Sequence, residues 1–364
     1  MELIFGMTLG ITFLLILLLS GKLKDNLANL FLLLLLLSVS IGTLYSALLN
    51  YHHLQFFIVL PIVNALPVLT GTLIYLYIRF SLYPLNRNAK KTLAHFIPFF
   101  VATAINFLIK NESALVFIFV EIILKICVSI VYLILSLYII RKQDILTKNH
   151  FSNTDNFDLK WLKFIVYIGL ITYIIYLLLI TLGLLKIEVV RNTEFYANLV
   201  PFLFVLPMSY YGLTSTNVFL NISAINTDEE VFFPSHKQKS DIKELISSEK
   251  ADEIYKKLIY LVETEKLFLN ENLMIEDIAG NLNLHSKYLS YVINTKSGKT
   301  FFDFINQYRV KEFNAEILNP RNKNLTIMAI AYQCGFGSKS SFNRVYKNEL
   351  GISPRQFIKD ANNR

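Results

Sequence analysis

Residues 327–347 read IMAIAYQCGFGSKSSFNRVYK, and this stretch decides the fold of the end of the chain. Its first half spaces apolar residues as one face of a short helix does, at Ile327, Ile330, Ala331 and Cys334. Glycines interrupt this helix, and a second apolar stripe then follows at Phe342, Val345 and Tyr346. Two short helices joined by a tight glycine turn are the pattern of a helix-turn-helix.

The same pattern occurs 52 residues earlier in the chain. The first stripe of this earlier copy consists of Ile275, Ile278, Ala279 and Leu282, and the second consists of Leu289, Val292 and Ile293. The second stripes lie 53 residues apart, because the later copy has one more residue in its turn. A tandem pair at this spacing is much more specific than one copy, which any helical hairpin resembles.

A single helix is predicted between the two copies. Thr300 and Asp303 resemble a capping box at its start, and Pro320 ends it. We expect one apolar side on this helix, formed by Phe301, Phe304, Ile305, Tyr308, Ala315 and Leu318. The sequence therefore predicts two helix-turn-helix units on either side of one linking helix.

The second helix of each copy has an exposed face suited to phosphate oxygens and base edges. In the later copy this face consists of Lys339, Ser340, Asn343, Arg344 and Lys347. The equivalent positions 53 residues upstream are Ser286, Lys287, Ser290, Tyr291 and Asn294. We predict that both sets face double-stranded DNA.

The run from Gly335 to Lys347, followed by LGISP at 350–354, resembles the C-terminal signature of AraC-type transcription regulators. Leu289-Ser290, GKTF at 298–301 and Tyr308-Arg309 are similar to the rest of that domain. The resemblance covers roughly residues 255–360, which is under a third of the chain. It implies that two recognition helices enter successive major grooves on one face of the duplex.

Two residues depart from the pattern of that family. Tyr291 stands where a basic residue is common in the first recognition helix. Phe313 stands where the linking helix usually has a small residue. The first change weakens the prediction of phosphate contacts from that helix, and the second indicates a different packing of the linking helix.

Charge is unevenly distributed over this region. Residues 251–284 hold three Lys and seven acidic residues, whereas residues 285–364 hold 13 basic and five acidic residues. The basic half contains both recognition helices, as an interface with phosphate requires. The positive-inside bias and attraction to anionic lipid are the alternative explanations of the basic excess, but neither explains the tandem helical pattern.

The chain as a whole is too apolar for a soluble protein, since 54% of its residues are hydrophobic and its mean hydropathy is +0.47. The apolar residues are concentrated in the first 220 positions. A bilayer is crossed by about 20 apolar residues. Seven segments qualify, near residues 3–20, 27–50, 55–80, 93–109, 115–140, 162–185 and 196–219. The first does not resemble a cleavable signal peptide, because Glu2 occupies the region where such peptides are basic.

The sequence thus predicts an all-α protein with three parts. Residues 1–219 form a seven-helix transmembrane bundle with a sensor role, residues 220–250 form a polar cytoplasmic linker, and residues 251–364 form the two-helix-turn-helix domain. Cys127 and Cys334 fall in different parts, so no disulfide is expected. Cys334 belongs to an apolar stripe and is expected in the core.

The basic residues of the loops predict the orientation. With a cytoplasmic C-terminus and seven spans, the inside loops hold Lys22, Lys24, Arg87, Lys90, Lys91, Arg141, Lys142, Lys148, Lys160 and Lys163. The outside loops hold only Lys110, Lys186 and Arg191. This bias agrees with a DNA-binding domain in the cytoplasm and an N-terminus outside.

Ionisable residues are rare within the predicted spans. Glu121 and Lys125 lie four residues apart in the fifth span, where such residues are costly and usually face the bundle interior. They form either a sensor pair in an outward-facing pocket or a structural ion pair that joins two helices. His52 and His53 lack further ligands, so we predict no metal site.

Motifs of enzymes and cofactor sites are missing from the sequence. We expect no enzyme activity and no cofactor. The prediction is a bacterial inner-membrane transcription regulator whose partners are DNA, the lipid bilayer and an unidentified small-molecule or membrane signal. A homodimer and a proteolytic release of the DNA-binding domain remain open. The alternative is a membrane receptor or transporter whose cytoplasmic helical domain binds a protein.

Overall fold

The structure is a computed structural model that describes residues 2–21, 23, 27–52, 59–83, 89–108, 115–155, 159–184, 201–207 and 247–362. Within these residues the regular structure is helical, apart from one isolated β-bridge between Phe151 and Met274. The all-α class is therefore confirmed. The chain divides into two compact units: unit 1 comprises Met1–Arg141 and Leu159–Asn226, and unit 2 comprises Lys142–Asp158 and Thr227–Arg364.

Most of the described N-terminal helices are apolar, and their lengths range from six to 36 residues. They are α1 (Glu2–Ser20), α2 (Leu27–His52), α3 (Leu60–Ala65), α4 (Pro67–Leu82), α5 (Ala89–Ala94), α6 (Ile97–Leu108), α7 (Leu115–His150) and α8 (Lys160–Leu184). Among the described residues, five stretches are long and apolar enough to cross a membrane, namely Leu3–Ser20, Leu27–Leu48, Ala89–Leu108, Val120–His150 and Lys160–Leu179. Pro67–Leu82 is a shorter apolar helix.

The predicted count of seven spans stays a prediction. The third predicted segment, near 55–80, is divided into α3 and α4, because Pro67 begins a new helix. Of the seventh segment, 196–219, only residues 201–207 are described, and these are helical. The predicted linker also lies outside the described residues up to position 246, as do Lys22, Lys24, Arg87, Lys110, Lys186, Arg191 and His53.

Unit 1 is built around a core contributed mainly by α2, α4, α7 and α8. Leu35, Leu73, Leu133 and Ile165 are essentially inaccessible to solvent in this core. Within it, the Trp161 indole donates a hydrogen bond to the Tyr77 hydroxyl (3.0 Å). The indole N–H thus has a partner, as a buried polar group needs.

Unit 2 contains the C-terminal helices and the end of α7. The helices are α9 (Ser248–Glu265), α10 (Ile275–Asn281), α11 (Ser286–Ser297), α12 (Phe301–Leu318), α13 (Ile327–Gln333), α14 (Lys339–Leu350) and α15 (Pro354–Asn362). Thr300, Thr326 and Ser338 cap α12, α13 and α14, each accepting a hydrogen bond from the backbone N–H three residues on. Lys142–Asp158 also belongs to unit 2, although the sequence pattern assigns these residues to the transmembrane part.

The linking helix α12 separates two cores and contacts both. Phe301, Phe304 and Ile305 face the first core with α9, α10 and α11. Phe302, Val310 and Phe313 face the second core with α13 and α14. The helix is thus buried on two faces, and not on the single apolar side that the sequence predicts. The prediction is also wrong at the end of the helix, where Ala315 and Leu318 are exposed.

Phe313, the large residue of the linking helix, is buried in the second core. Its ring centroid lies 4.7 Å from that of Phe342 and 5.5 Å from that of Tyr346. Cys334 is also buried in this core, which confirms its predicted place and raises the pKa of its thiol to about 12.

Candidate nucleic-acid interface

Each helix-turn-helix closes its turn in the same way. The Leu284 N–H donates to the Ala279 carbonyl (2.8 Å), and the Phe336 N–H, 52 residues later, donates to the Ala331 carbonyl (3.2 Å). His285 then caps α11 and Ser338 caps α14, and these residues are 53 apart. The extra residue of the later copy is therefore Gly337, between Phe336 and Ser338.

The second recognition helix, α14, has one buried and one exposed face. Phe342, Val345 and Tyr346 are buried in the second core. The five predicted DNA-facing residues are all exposed, namely Lys339, Ser340, Asn343, Arg344 and Lys347. The structure thus brings three cations and two short polar side chains together on one surface.

The first recognition helix, α11, is less exposed on its predicted face. Asn294 is exposed, whereas four of the predicted residues are half-buried, namely Ser286, Lys287, Ser290 and Tyr291. Tyr291 packs its ring against the first core. The Asn294 amide donates to the Ser290 carbonyl one turn earlier (2.7 Å). This hydrogen bond holds the Asn294 side chain against its own helix.

Comparison with known proteins decides the family of this region. The sequence model of a helix-turn-helix domain family matches residues 278–360. The Msm operon regulatory protein of Streptococcus mutans is 32% identical over 92 residues, which are 25% of this chain and 32% of that protein. The probable transcription factor PqrA of Proteus vulgaris is 24% identical over 107 residues, which are 29% of this chain and 84% of that protein. No solved structure matches the chain.

Residues 278–360 form an AraC-type helix-turn-helix domain. This chain therefore covers about a third of the length of the Streptococcus mutans relative. By their names, both relatives are regulators of an operon or of transcription, and neither is an enzyme. These similarities support DNA-binding transcription regulation by the AraC-type domain.

A buried arginine, which the sequence did not single out as functional, ties the linking helix to the loop before α10. Arg309 lies on α12 with 1% of its surface exposed. Its Nε donates to the Phe268 carbonyl (2.7 Å) and its Nη2 to the Asn270 carbonyl (2.7 Å), both in the loop before α10. Burial lowers the pKa of Arg309 to about 10, so the guanidinium remains a cation at neutral pH.

The turn of the second helix-turn-helix lies against the same loop. Gly335 has a φ of +90°, and a Cβ at this position would clash with the Phe268 carbonyl oxygen and lie 2.9 Å from that of Leu269. Phe268, Arg309 and Gly335 thus form a junction between the two helix-turn-helix units. The glycine turn was the one feature of the sequence that pointed to this junction.

The predicted sensor pair lies in unit 1. Glu121 and Lys125 form an ion pair along α7, and both are buried. The Asn106 amide of α6 donates to Glu121 Oε1 (3.0 Å). The three side chains therefore link α6 to α7 through a charge-assisted hydrogen bond.

Proposed function

We propose that this protein is a membrane-embedded, sequence-specific DNA-binding transcription regulator that couples a membrane or extracytoplasmic signal to promoter binding. The observation that carries the proposal is the exposed cationic face of α14 within a tandem helix-turn-helix domain. Arg, Lys, Asn and Ser are the side chains that contact phosphates and base edges in major grooves. The ten residues predicted on α11 and α14 are the proposed DNA contacts.

Exposed apolar side chains of unit 1 support the membrane part of the proposal. Phe13, Phe100 and Ile174 are 63%, 65% and 65% exposed, respectively. Many further large apolar side chains of α1, α2, α6, α7 and α8 are exposed. Soluble proteins rarely expose this much apolar surface, whereas lipid tails solvate it. Together with the five helical stretches of membrane-spanning length among the described residues, this surface favours a multi-pass protein of the bacterial inner membrane.

The proposed orientation places the N-terminus outside and the AraC-type domain in the cytoplasm. The basic residues near the end of α7, Arg141, Lys142 and Lys148, support it through the positive-inside rule. A signal acts on such a protein only if it binds two states of the bundle with different affinity. The buried Glu121–Lys125 pair is the proposed place where the signal changes unit 1.

Arg344→Ala is expected to weaken binding of the full chain to its operator DNA. A bidentate arginine contact with a guanine contributes about 1–3 kcal/mol of discrimination. The loss is measured by fluorescence anisotropy with the protein in lipid nanodiscs. Lys256→Ala is the control, because Lys256 is an exposed cation on α9 in the acidic part of the domain. Equal affinities for both variants would remove Arg344 from the interface.

Genome-wide crosslinking and immunoprecipitation of the tagged full chain tests the whole proposal. Discrete DNA peaks with all of the protein in the membrane fraction are the expected result. A soluble C-terminal fragment accompanying the peaks would show release by proteolysis. Absence of peaks under every growth condition, together with no binding of DNA by the purified protein, would contradict the proposal.

A further inference from the structure

The last two residues of α7 and the five residues that follow it are docked on the AraC-type domain. This docking segment, Asn149–Asp155, belongs to unit 2. Phe151 forms the β-bridge with Met274, and the Ser152 N–H donates to the Leu273 carbonyl (3.1 Å). Within the same segment, His150 Nδ1 lies 2.9 Å from Glu276 Oε1. Backbone pairing thus fixes the segment beside α10.

Ser152 anchors the docking segment beneath the linking helix, where it is inaccessible to solvent. Its carbonyl accepts hydrogen bonds from Arg309 Nη1 (2.9 Å) and from the Asn306 amide (3.1 Å). Its hydroxyl accepts a further hydrogen bond from Arg309 Nη2 (2.9 Å). Two of the bonds from the buried guanidinium therefore end on a residue far away in sequence, and charge-assisted bonds of this kind are strong.

Both recognition helices are contacted by this one segment. Asn149 Oδ1 lies 3.4 Å from the Asn294 amide of α11, and Thr154 Oγ1 lies 3.5 Å from Arg344 Nη2 of α14. The Asp155 carboxylate accepts a hydrogen bond from the Ser338 hydroxyl (2.7 Å), at the N-cap of α14. A helix N-terminus is where DNA phosphates bind, so Asp155 places a negative charge in the position suited to a phosphate.

The extra residue of the later turn lies directly under the docking segment. A Cβ at Gly337 would clash with the Asn153 amide nitrogen and lie 3.4 Å from Asn153 Cγ. The first helix-turn-helix has no counterpart of this glycine. Gly337 therefore leaves room for Asn153 at the turn that leads into α14.

We infer that the docking segment and DNA exclude one another, so that the AraC-type domain binds its operator only after Asn149–Asp155 leaves the recognition surface. This inference rests on the proposed function and adds its regulation. The segment is the direct continuation of α7, which contains the candidate span Val120–His150. A signal that moves this span is transmitted through the chain to the segment that covers the DNA contacts.

A reversible covalent lock tests the inference. Asn153→Cys with Gly337→Cys places two thiols at the contact, since Asn153 Cγ marks the place of the cysteine sulfur. The change is made in a Cys127→Ser background, because Cys127 is exposed and Cys334 is buried. The probe is a labelled duplex of the strongest crosslinked site, and the full chain is held in nanodiscs.

Oxidation is expected to weaken DNA binding at least about tenfold, because the apparent Kd rises as the fraction of binding-competent protein falls. A reductant restores the affinity. Equal Kd values for the oxidised and reduced forms, or failure of the disulfide to form, would overturn the inference. If wild-type protein itself does not bind the duplex, the proposed function fails instead.

A second variant covers the case in which Gly337→Cys damages the domain. Asp155→Asn removes the charge at the N-cap of α14 without a cysteine and is expected to tighten DNA binding by about tenfold when the docked state predominates. Asp144→Asn is the matched control, because it removes the same charge from α7, where Asp144 pairs with Lys148 (3.2 Å). Equal effects of the two substitutions would contradict a specific role for the docking segment.

Discussion

Gly335→Ala is expected to destabilise the second helix-turn-helix by about 3 kcal/mol. The φ of +90° costs an L-residue about 1–2 kcal/mol. A clash in a packed interior adds about 1–3 kcal/mol, because the obstacle is the backbone carbonyl of Phe268, which cannot turn away as a side chain does. The lost stability should lower the protection of α13 and of the junction with the first helix-turn-helix.

Hydrogen exchange of the full chain, resolved by mass spectrometry, measures this loss. Amides of α13 and α14 are expected to exchange more than 100-fold faster, which corresponds to about 3 kcal/mol of opening free energy. Gly351→Ala is the matched control, because Gly351 also has a positive φ (+74°) but a Cβ there would meet no described atom within 4 Å. Similar exchange in both variants would show that the carbonyl contact is unimportant.

Arg309→Met is the second substitution expected to have a large effect, again about 3 kcal/mol. Methionine retains much of the side-chain volume, so the packing loss is small. The carbonyls of Phe268 and Asn270 lose the hydrogen bonds from the guanidinium. A buried acceptor without a partner costs about 1–3 kcal/mol, and part of this cost is offset because the buried cation is gone.

The effect of Arg309→Met should spread over the whole junction. Faster hydrogen exchange is expected in the loop before α10 and in the docking segment, where Ser152 also loses its bonds from Arg309. Lys311→Met is the control, since it removes an exposed cation two residues further along the same helix and surface changes usually stay within about 0.5 kcal/mol. Unchanged protection of the loop before α10 would refute a joining role of Arg309.

Local patterns allowed the helical elements to be predicted from the sequence. The stripes at Ile275 and Ile327 became α10 and α13, because apolar residues at helical spacing must be buried together. The exposed face of α14 was visible for the same reason, since its polar residues occupy the positions between the buried ones. The capping of α12 by Thr300 was equally local.

The linking helix shows where such patterns stop being sufficient. One side was predicted to be apolar, but α12 is buried on two faces by two separate cores. Asn306 and Arg309 are buried polar residues within it. A periodicity argument assigns them to the surface, because the carbonyls that satisfy them come from distant parts of the chain.

The sequence by itself determined that apolar helices precede a tandem helix-turn-helix and that α14 presents Arg344 and Lys347 on its exposed face. Only the tertiary structure showed that Asn149–Asp155 lies across the recognition surface. The physical reason is the separation in sequence between the residues that interact. Helical periodicity and caps depend on residues within a few positions of one another, whereas Ser152 meets Arg309 across 157 residues through hydrogen bonds that no local pattern records.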